Sequence, residues 1–143
     1  AAWPGRIEPG STTDHISAFW DVMPTLCAIT GASVPEDTDG ISFLPTLLGN
    51  DEEQEKHEFL YWEFPAYGGQ RALRMGKWKV INQNLMEEAP VQYELYNLET
   101  DLQEQNNLAD QYPEIINQAK TIFAREHRPA EIERFHMAAL GDE

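Results

Sequence analysis

Residues 57–81 read HEFLYWEFPAYGGQRALRMGKWKVI, and the fold is decided there. Leu60, Trp62 and Phe64 alternate with His57, Phe59, Tyr61 and Glu63, the period-two pattern of a strand with one fully apolar face and one mixed face. The loop Pro65-Ala66-Tyr67-Gly68-Gly69-Gln70 separates this run from a second. Gly76-Lys77 then suits a two-residue type II′ turn, in which glycine comes first. That register sets Met75 opposite Trp78 and Leu73 opposite Val80 on one face, and Arg74 opposite Lys79 on the other. Like charges facing across a strand pair are destabilising unless a counter-charge lies close. Glu63, Glu94 or an anionic ligand would serve.

Outward from this hairpin, Val91–Leu98 reads as a fourth strand that completes an antiparallel sheet, and Asn97–Asp101 as the turn that leaves it. Residues 112–128 predict a helix. Pro113 suits its first turn, Glu114 its N-terminal dipole and Arg125 its C-terminal end, while Ile115, Ile116, Ala119, Ile122 and Phe123 form one stripe. That stripe is expected to cover the apolar face of the sheet. The tail holds a further helical turn with Ile132, Phe135 and Met137, and its end is expected to fray. Upstream, residues 1–12 read as a strand end and loop. Residues 14–30 read as helical, with Asp21 as N-cap, Pro24 in the first turn and Gly31 as the stop. Asp39-Gly40 suits a turn, Ser42 caps a short helix over 43–48, and the acidic stretch 50–56 is the best boundary.

One hundred and forty-three residues suffice for one domain with a real core, or for a small domain plus part of another. The net charge of −15 argues against nucleic acid or an acidic membrane as a general partner. Yet residues 64–86 carry Arg71, Arg74, Lys77 and Lys79 with no acid, a basic island within an acidic chain. The chain has no HExxH, CxxC, Walker-type or GxSxG motif. Its four histidines are scattered, its single cysteine, Cys27, has apolar neighbours, and Glu87-Glu88 reads as a solvated face. No catalytic or metal-binding residue is assigned. The loop 65–70 offers Tyr67 and Gln70 as polar contacts and two glycines that permit close backbone approach, although a plain hairpin loop explains it as well.

Read together and in order, several short motifs resemble the C-terminal part of a type I, formylglycine-dependent sulfatase. They are Trp3-Pro4-Gly5-x-Ile7 with Gly10, Asp21-x-x-Pro24-Thr25-Leu26 with Gly31, and Asp39-Gly40-x-Ser42 with Pro45, Leu47 and Gly49. Then come Tyr61-Trp62-Glu63, Arg71-Ala72-Leu73-Arg74-x-Gly76-Lys77-Trp78-Lys79, Glu94-Leu95-Tyr96-Asn97-Leu98, and Asp101–Ala109 with Glu104, Asn107 and Leu108. The Trp-Glu piece and the Gly-Gly-Gln-Arg-Ala run resemble bacterial members that act on sulfated sugars more than simple aryl sulfatases.

The resemblance implies an α+β fold. A four-stranded antiparallel sheet is packed by a C-terminal helix and preceded by a remnant of the large α/β domain of the alkaline phosphatase superfamily. Residues 1–50 would be the tail of that catalytic domain and 51–143 the C-terminal domain. It further implies calcium and formylglycine in the full-length parent but no cofactor in this chain, since Cys27 lacks the Pro and Arg that must follow. The chain alone is therefore expected to be inactive, and to brace the catalytic domain. Glu63, Tyr67, Gln70 and Arg71 are the candidate residues for the leaving-group side of a pocket taking a sulfated glycan; a role in sealing the domain interface is the alternative. The implied partner is the catalytic domain of the same protein, with a non-native dimer through exposed apolar surface as a further expectation. The implied location is periplasmic or secreted. Two other readings stand beside this one: a stand-alone carbohydrate- or anion-binding module, and a fragment of a phosphonate or phosphodiester hydrolase of the same superfamily.

Overall fold

The computed structural model describes residues 1–142, and the chain divides into two compact units, Ala1–Glu58 and Phe59–Glu143. In the second unit, strands β1 (Leu60–Phe64), β2 (Gln70–Met75), β3 (Trp78–Gln83) and β4 (Gln92–Asn97) form one antiparallel meander in the order β1-β2-β3-β4. The expected hairpin register is observed, with Met75 opposite Trp78, Leu73 opposite Val80 and Arg74 opposite Lys79. Gly76 supplies the positive φ of 53° that the tight turn requires.

Helix α3 (Pro113–Glu126) lies over this sheet. Ile116, Ala119, Ile122 and Phe123 from the helix form one buried cluster with Leu73, Val80 and Leu95, and Tyr61 packs against it. The pairing aligns Tyr61, Leu73, Val80 and Leu95 in one row across all four strands. The helix therefore covers the mixed face of β1, not the face of Leu60, Trp62 and Phe64 expected from that strand alone. The parity of the three other strands decides the matter, because a sheet buries whole rows rather than single strands. Trp62 and Phe64 point to the opposite face and are exposed.

The outer edge of β4 is not left open. Leu95 donates its N–H to Asn107 Oδ1 at 3.1 Å and accepts the Leu108 N–H at 2.8 Å, so the following loop satisfies the edge. The tail past α3 is also tied down rather than frayed through the last described residue: short 3-10 turns at Glu133–Phe135 and Ala138–Leu140 carry it, Met137 is buried, and the Ala139 N–H reaches Leu85 O at 3.2 Å.

The first unit is built around helix α1 (Val22–Thr30), entered through a 3-10 turn at Phe19–Asp21 and ended by Gly31 in the left-handed conformation. The short helix α2 (Leu44–Leu47) follows. Residues 1–12 form turns instead of a strand end. The Arg6 and Ile7 N–H groups both close onto Trp3 O at 2.9 Å, so their hydrogen bonds are made locally. The turn expected at Asp39-Gly40 falls at 36–37 instead. Gly40 is needed for space: a Cβ there would lie 2.3 Å from the Trp20 carbonyl oxygen.

Candidate functional site

The register that builds the core also builds a polar row at one end of it. Glu63, Arg71, Asn82 and Tyr93 stand side by side on the helix-covered face of the sheet. Arg71 is buried; its Nε donates to Asn82 Oδ1 at 2.9 Å, and its guanidinium carbon lies 4.4 Å from the centre of the Phe123 ring. Asn82, buried beside it, passes its amide hydrogen to Gln92 O at 3.0 Å. A buried guanidinium that is hydrogen-bonded and stacked on an aromatic face is a stable arrangement.

Glu63 is bound by two groups through one oxygen. Its Oε1 accepts the Tyr61 hydroxyl and meets Nδ1 of His127 at 2.6 Å. Among the described residues no donor faces its Oε2, and the side chain is 23% exposed. His127 caps the C-terminal end of α3, and its Nε2 meets Asp142 Oδ1 at 2.7 Å. The other oxygen of Asp142 accepts the Met137 N–H at 2.8 Å. Ionised carboxylates only accept, so an imidazole set between two of them donates from both nitrogens and carries a proton on each. Burial works against that charge on His127, but hydrogen bonds to Glu63 and Asp142, and their charges, outweigh it and hold its pKa above the usual histidine value. For Asp142, burial pushes the pKa up, but the Met137 N–H and His127 together bring it below the usual carboxylate value. Burial and the bond to Glu63 push the Tyr61 hydroxyl well up, which keeps it a donor.

The four residues singled out from sequence thus separate. Glu63 and Arg71 share the polar row, Arg71 inside the core. Gln70 pairs with Phe64 and Gln83 and points, by alternation, to the opposite face. Tyr67 stands at the loop tip, 86% exposed, with its ring 6.1 Å from that of Phe64 and a φ of 51°. The loop that carries it is braced. Gly68 O and Gly69 O accept the N–H groups of Met86 and Leu85 at 2.8 and 3.1 Å, and a Cβ at Gly69 would meet Met86 Cγ at 2.6 Å. The two glycines are there for the close approach of residues 85–87.

The facing cations on the far side of the sheet are settled differently from expectation. Lys79 Nζ is held by Glu104, at 2.6 and 2.7 Å from its two oxygens, and not by Glu63 or Glu94. Glu63 lies on the other face, and Glu94 accepts the Tyr96 hydroxyl, which burial and Glu94 push up to about 12. The sequence marks Glu104 within a motif but not as the partner of Lys79, because it lies in an irregular loop, at a φ of 55°. Sequence reading also passed over His127 and Asp142, whose separation in sequence gives no motif.

In the first unit the comparable cluster centres on Asp21. Its carboxylate accepts the N–H groups of Ala18 at 2.6 Å and Ile41 at 2.9 Å and meets His57 Nε2 at 2.8 Å, so it does not cap α1 through its side chain. A cavity of about 400 Å³ in this unit is lined by Ile41, Leu44, Pro45, Leu48, Glu53 and Glu55 among others. Among the described residues no group of three or more His, Cys, Asp or Glu side chains is placed to hold a metal ion. Cys27 is buried in α1.

Comparison with known proteins adds what geometry alone does not. Residues 1–128 match the family described as N-sulphoglucosamine sulphohydrolase, C-terminal. The chain is 35% identical over 142 aligned residues to the ulvan-active sulfatase of Formosa agariphila, which covers 76% of this chain and 28% of that protein. A solved structure holding its substrate, D-glucosamine-2-N,6-O-disulfate, superposes with a TM-score of 0.68 at 23% identity over 86% of this chain and 26% of the other. The phosphonate monoester hydrolase of Agrobacterium radiobacter superposes with a TM-score of 0.58 at 21% identity, over 78% of this chain and 25% of the other. Those two superpositions show the shared fold alone. This chain spans about a quarter of the length of these relatives. The sheet, its covering helix and the match over residues 1–128 together show that this chain belongs to the sulfatases, as a C-terminal domain of that family.

Proposed function

We propose that this chain is part of a sulfuric ester hydrolase acting on sulfated sugars, and that it forms the leaving-group side of the pocket beside a catalytic domain supplied by the rest of the protein. The observation that carries this is the braced loop. A tyrosine held outward at positive φ, on a loop pinned by two close backbone approaches, is preorganised for contact with something outside the chain. Within the polar row, Glu63 offers a carboxylate oxygen, its Oε2, for a sugar hydroxyl. Gln70 belongs to the same reading as a contact from the far face. Arg71 contributes by holding the row in place, because its guanidinium is already engaged.

In this reading residues 1–50 complete the catalytic domain and 51–143 are the accessory domain. The exposed apolar side chains of α1, Val22, Met23, Leu26 and Ile29, support it, since such a stripe on a short helix suits burial against further chain. A second copy seated there is the alternative occupant; light scattering showing a clean monomer removes it. The residues present do not fit formylglycine or calcium: Cys27 is buried and lacks the Pro-x-Arg sequel, and among the described residues no acidic cluster is suitably placed. No step through either group is therefore derived, and in this reading both belong to the catalytic domain. The chain alone is then inactive, and the parent is periplasmic or secreted. Among the described residues no helix is long and apolar enough to cross a membrane.

The test uses the full-length enzyme with two substrates, a sulfated sugar and a small aryl sulfate that does not reach the loop. Tyr67→Ala and Glu63→Ala each raise KM for the sugar roughly fivefold, the value of a contact worth about 1 kcal/mol, and leave the aryl sulfate unaffected. Unchanged sugar kinetics for Glu63→Ala strike that residue from the site. Turnover of phosphonate esters in place of sulfate esters favours the phosphonate or phosphodiester hydrolase reading. Sugar binding by the chain without its catalytic domain favours the stand-alone module.

A further inference from the structure

The Glu63–His127–Asp142 cluster joins three segments that are remote in sequence: the end of β1, the residue that closes α3, and the last described residue of the tail. We propose that these three residues form a protonation-dependent latch, in which a doubly protonated His127 holds the segment 129–142 against the sheet and loss of one proton releases it.

Geometry carries this. Each ring nitrogen of His127 lies within 2.7 Å of a carboxylate oxygen, so a neutral imidazole, with one N–H, turns a lone pair toward one of them. That contact is repulsive, and among the described residues the other donors of the cluster, the Tyr61 hydroxyl on Glu63 and the Met137 N–H on Asp142, are already engaged. The groups facing the ring from every packed element are Glu63 and, through it, Tyr61 from β1; Arg71 from β2, acting on Tyr61; and Asp142 from the tail, itself influenced by His136. The site is closed enough for the contacts to count, with His127 and Asp142 side chains 13% and 2% exposed. The C-terminal end of α3 adds the negative end of a helix dipole.

The sign follows from the two shifts. His127 is raised, so its contribution is complete below the unfolded histidine value of about 6.5 and is lost as pH rises through the folded value. Asp142 is lowered, so its contribution is present above the ordinary carboxylate value and is lost as pH falls through the folded one. The latch is thus fully engaged between about pH 4 and 6.5, and opens on the alkaline side.

Hydrogen–deuterium exchange read by mass spectrometry on the full-length protein tests this, with rates corrected for the intrinsic pH dependence of exchange. Peptides covering 129–142 are expected to lose protection at least tenfold between pH 6 and 9, while peptides from β3 stay unchanged. His127→Gln cannot bridge two carboxylates and shows low protection with no pH step; Asp142→Asn, which keeps one oxygen to accept the Met137 N–H, likewise loses the step. His136→Gln keeps it. A flat wild-type profile, or a step that survives in His127→Gln or Asp142→Asn, overturns the proposal.

Discussion

Replacing Phe123 with alanine is expected to destabilise the second unit by about 3–5 kcal/mol, the range for deleting a fully buried phenylalanine. Phe123 has no exposed surface. Its ring lies 5.9 Å from that of Tyr61, and Arg71 stacks on it at 4.4 Å. The substitution therefore does two things. It opens a cavity between α3 and the central row of the sheet, and it leaves a buried guanidinium without the aromatic face that helps compensate its desolvation. Truncating Ile116, on the same helix but away from Arg71, removes only the first contribution and should cost less, about 2–4 kcal/mol. Thermal unfolding followed through Trp78, which packs 5.0 Å from Tyr112, reads the difference. For a unit of this size each kcal/mol shifts the midpoint by roughly 4–8 °C. A shift no larger for Phe123→Ala than for Ile116→Ala would show that Arg71 does not depend on the ring.

The elements were legible in sequence where a local pattern and the final packing agree. The Gly76 turn fixed the β2–β3 register because the positive φ of the turn and the row of Leu73 with Val80 demand the same pairing. Helix α3 was legible for the same reason: its stripe has the period of a helix, Pro113 marks its start, and every buried residue belongs to the stripe. The face of β1 was misread because Leu60, Trp62 and Phe64 are more apolar than Tyr61 and Glu63. Which face the helix covers is a property of four aligned strands, and one strand's composition does not contain it. The N-terminal residues were misread because Pro4-Gly5 and Pro9-Gly10 look the same whether they end a strand or close a turn.

The site was legible in part. Glu63 and Arg71 stood out by residue type, but their neighbours come from elsewhere in the chain. His127 lies 64 positions from Glu63 and 15 from Asp142, and Glu104 is 25 from Lys79. Periodicity does not encode such pairs; only the folded sheet and the returning tail bring them together. The two glycines of the loop were legible as a demand for close approach, and the partner, residues 85–87, was not.

Asp21 holds the N-cap position expected for it, but its carboxylate bonds elsewhere, and losing those bonds predicts a larger effect than losing a cap. Loss of an N-cap costs about 0.5–2 kcal/mol. Asp21 has no exposed surface, and its two oxygens serve the Ala18 and Ile41 N–H groups and the His57 ring, drawing together three stretches of the first unit. Asp21→Ala leaves two backbone donors and one imidazole nitrogen buried without partners. At about 1–3 kcal/mol for each unsatisfied group, the loss reaches roughly 3–5 kcal/mol even after partial relaxation. The neighbouring bonds will not absorb it, since Thr25 is already committed, donating to Asp21 O at 2.7 Å and accepting the Phe43 N–H at 3.0 Å. Asp21→Asn keeps the shape and one acceptor oxygen, and should cost less than half as much. Hydrogen exchange separates the cases: in Asp21→Ala, protection falls together across 18–30 and 41–57 while the sheet peptides hold. A fall confined to the first turn of α1 would restore the simple capping role.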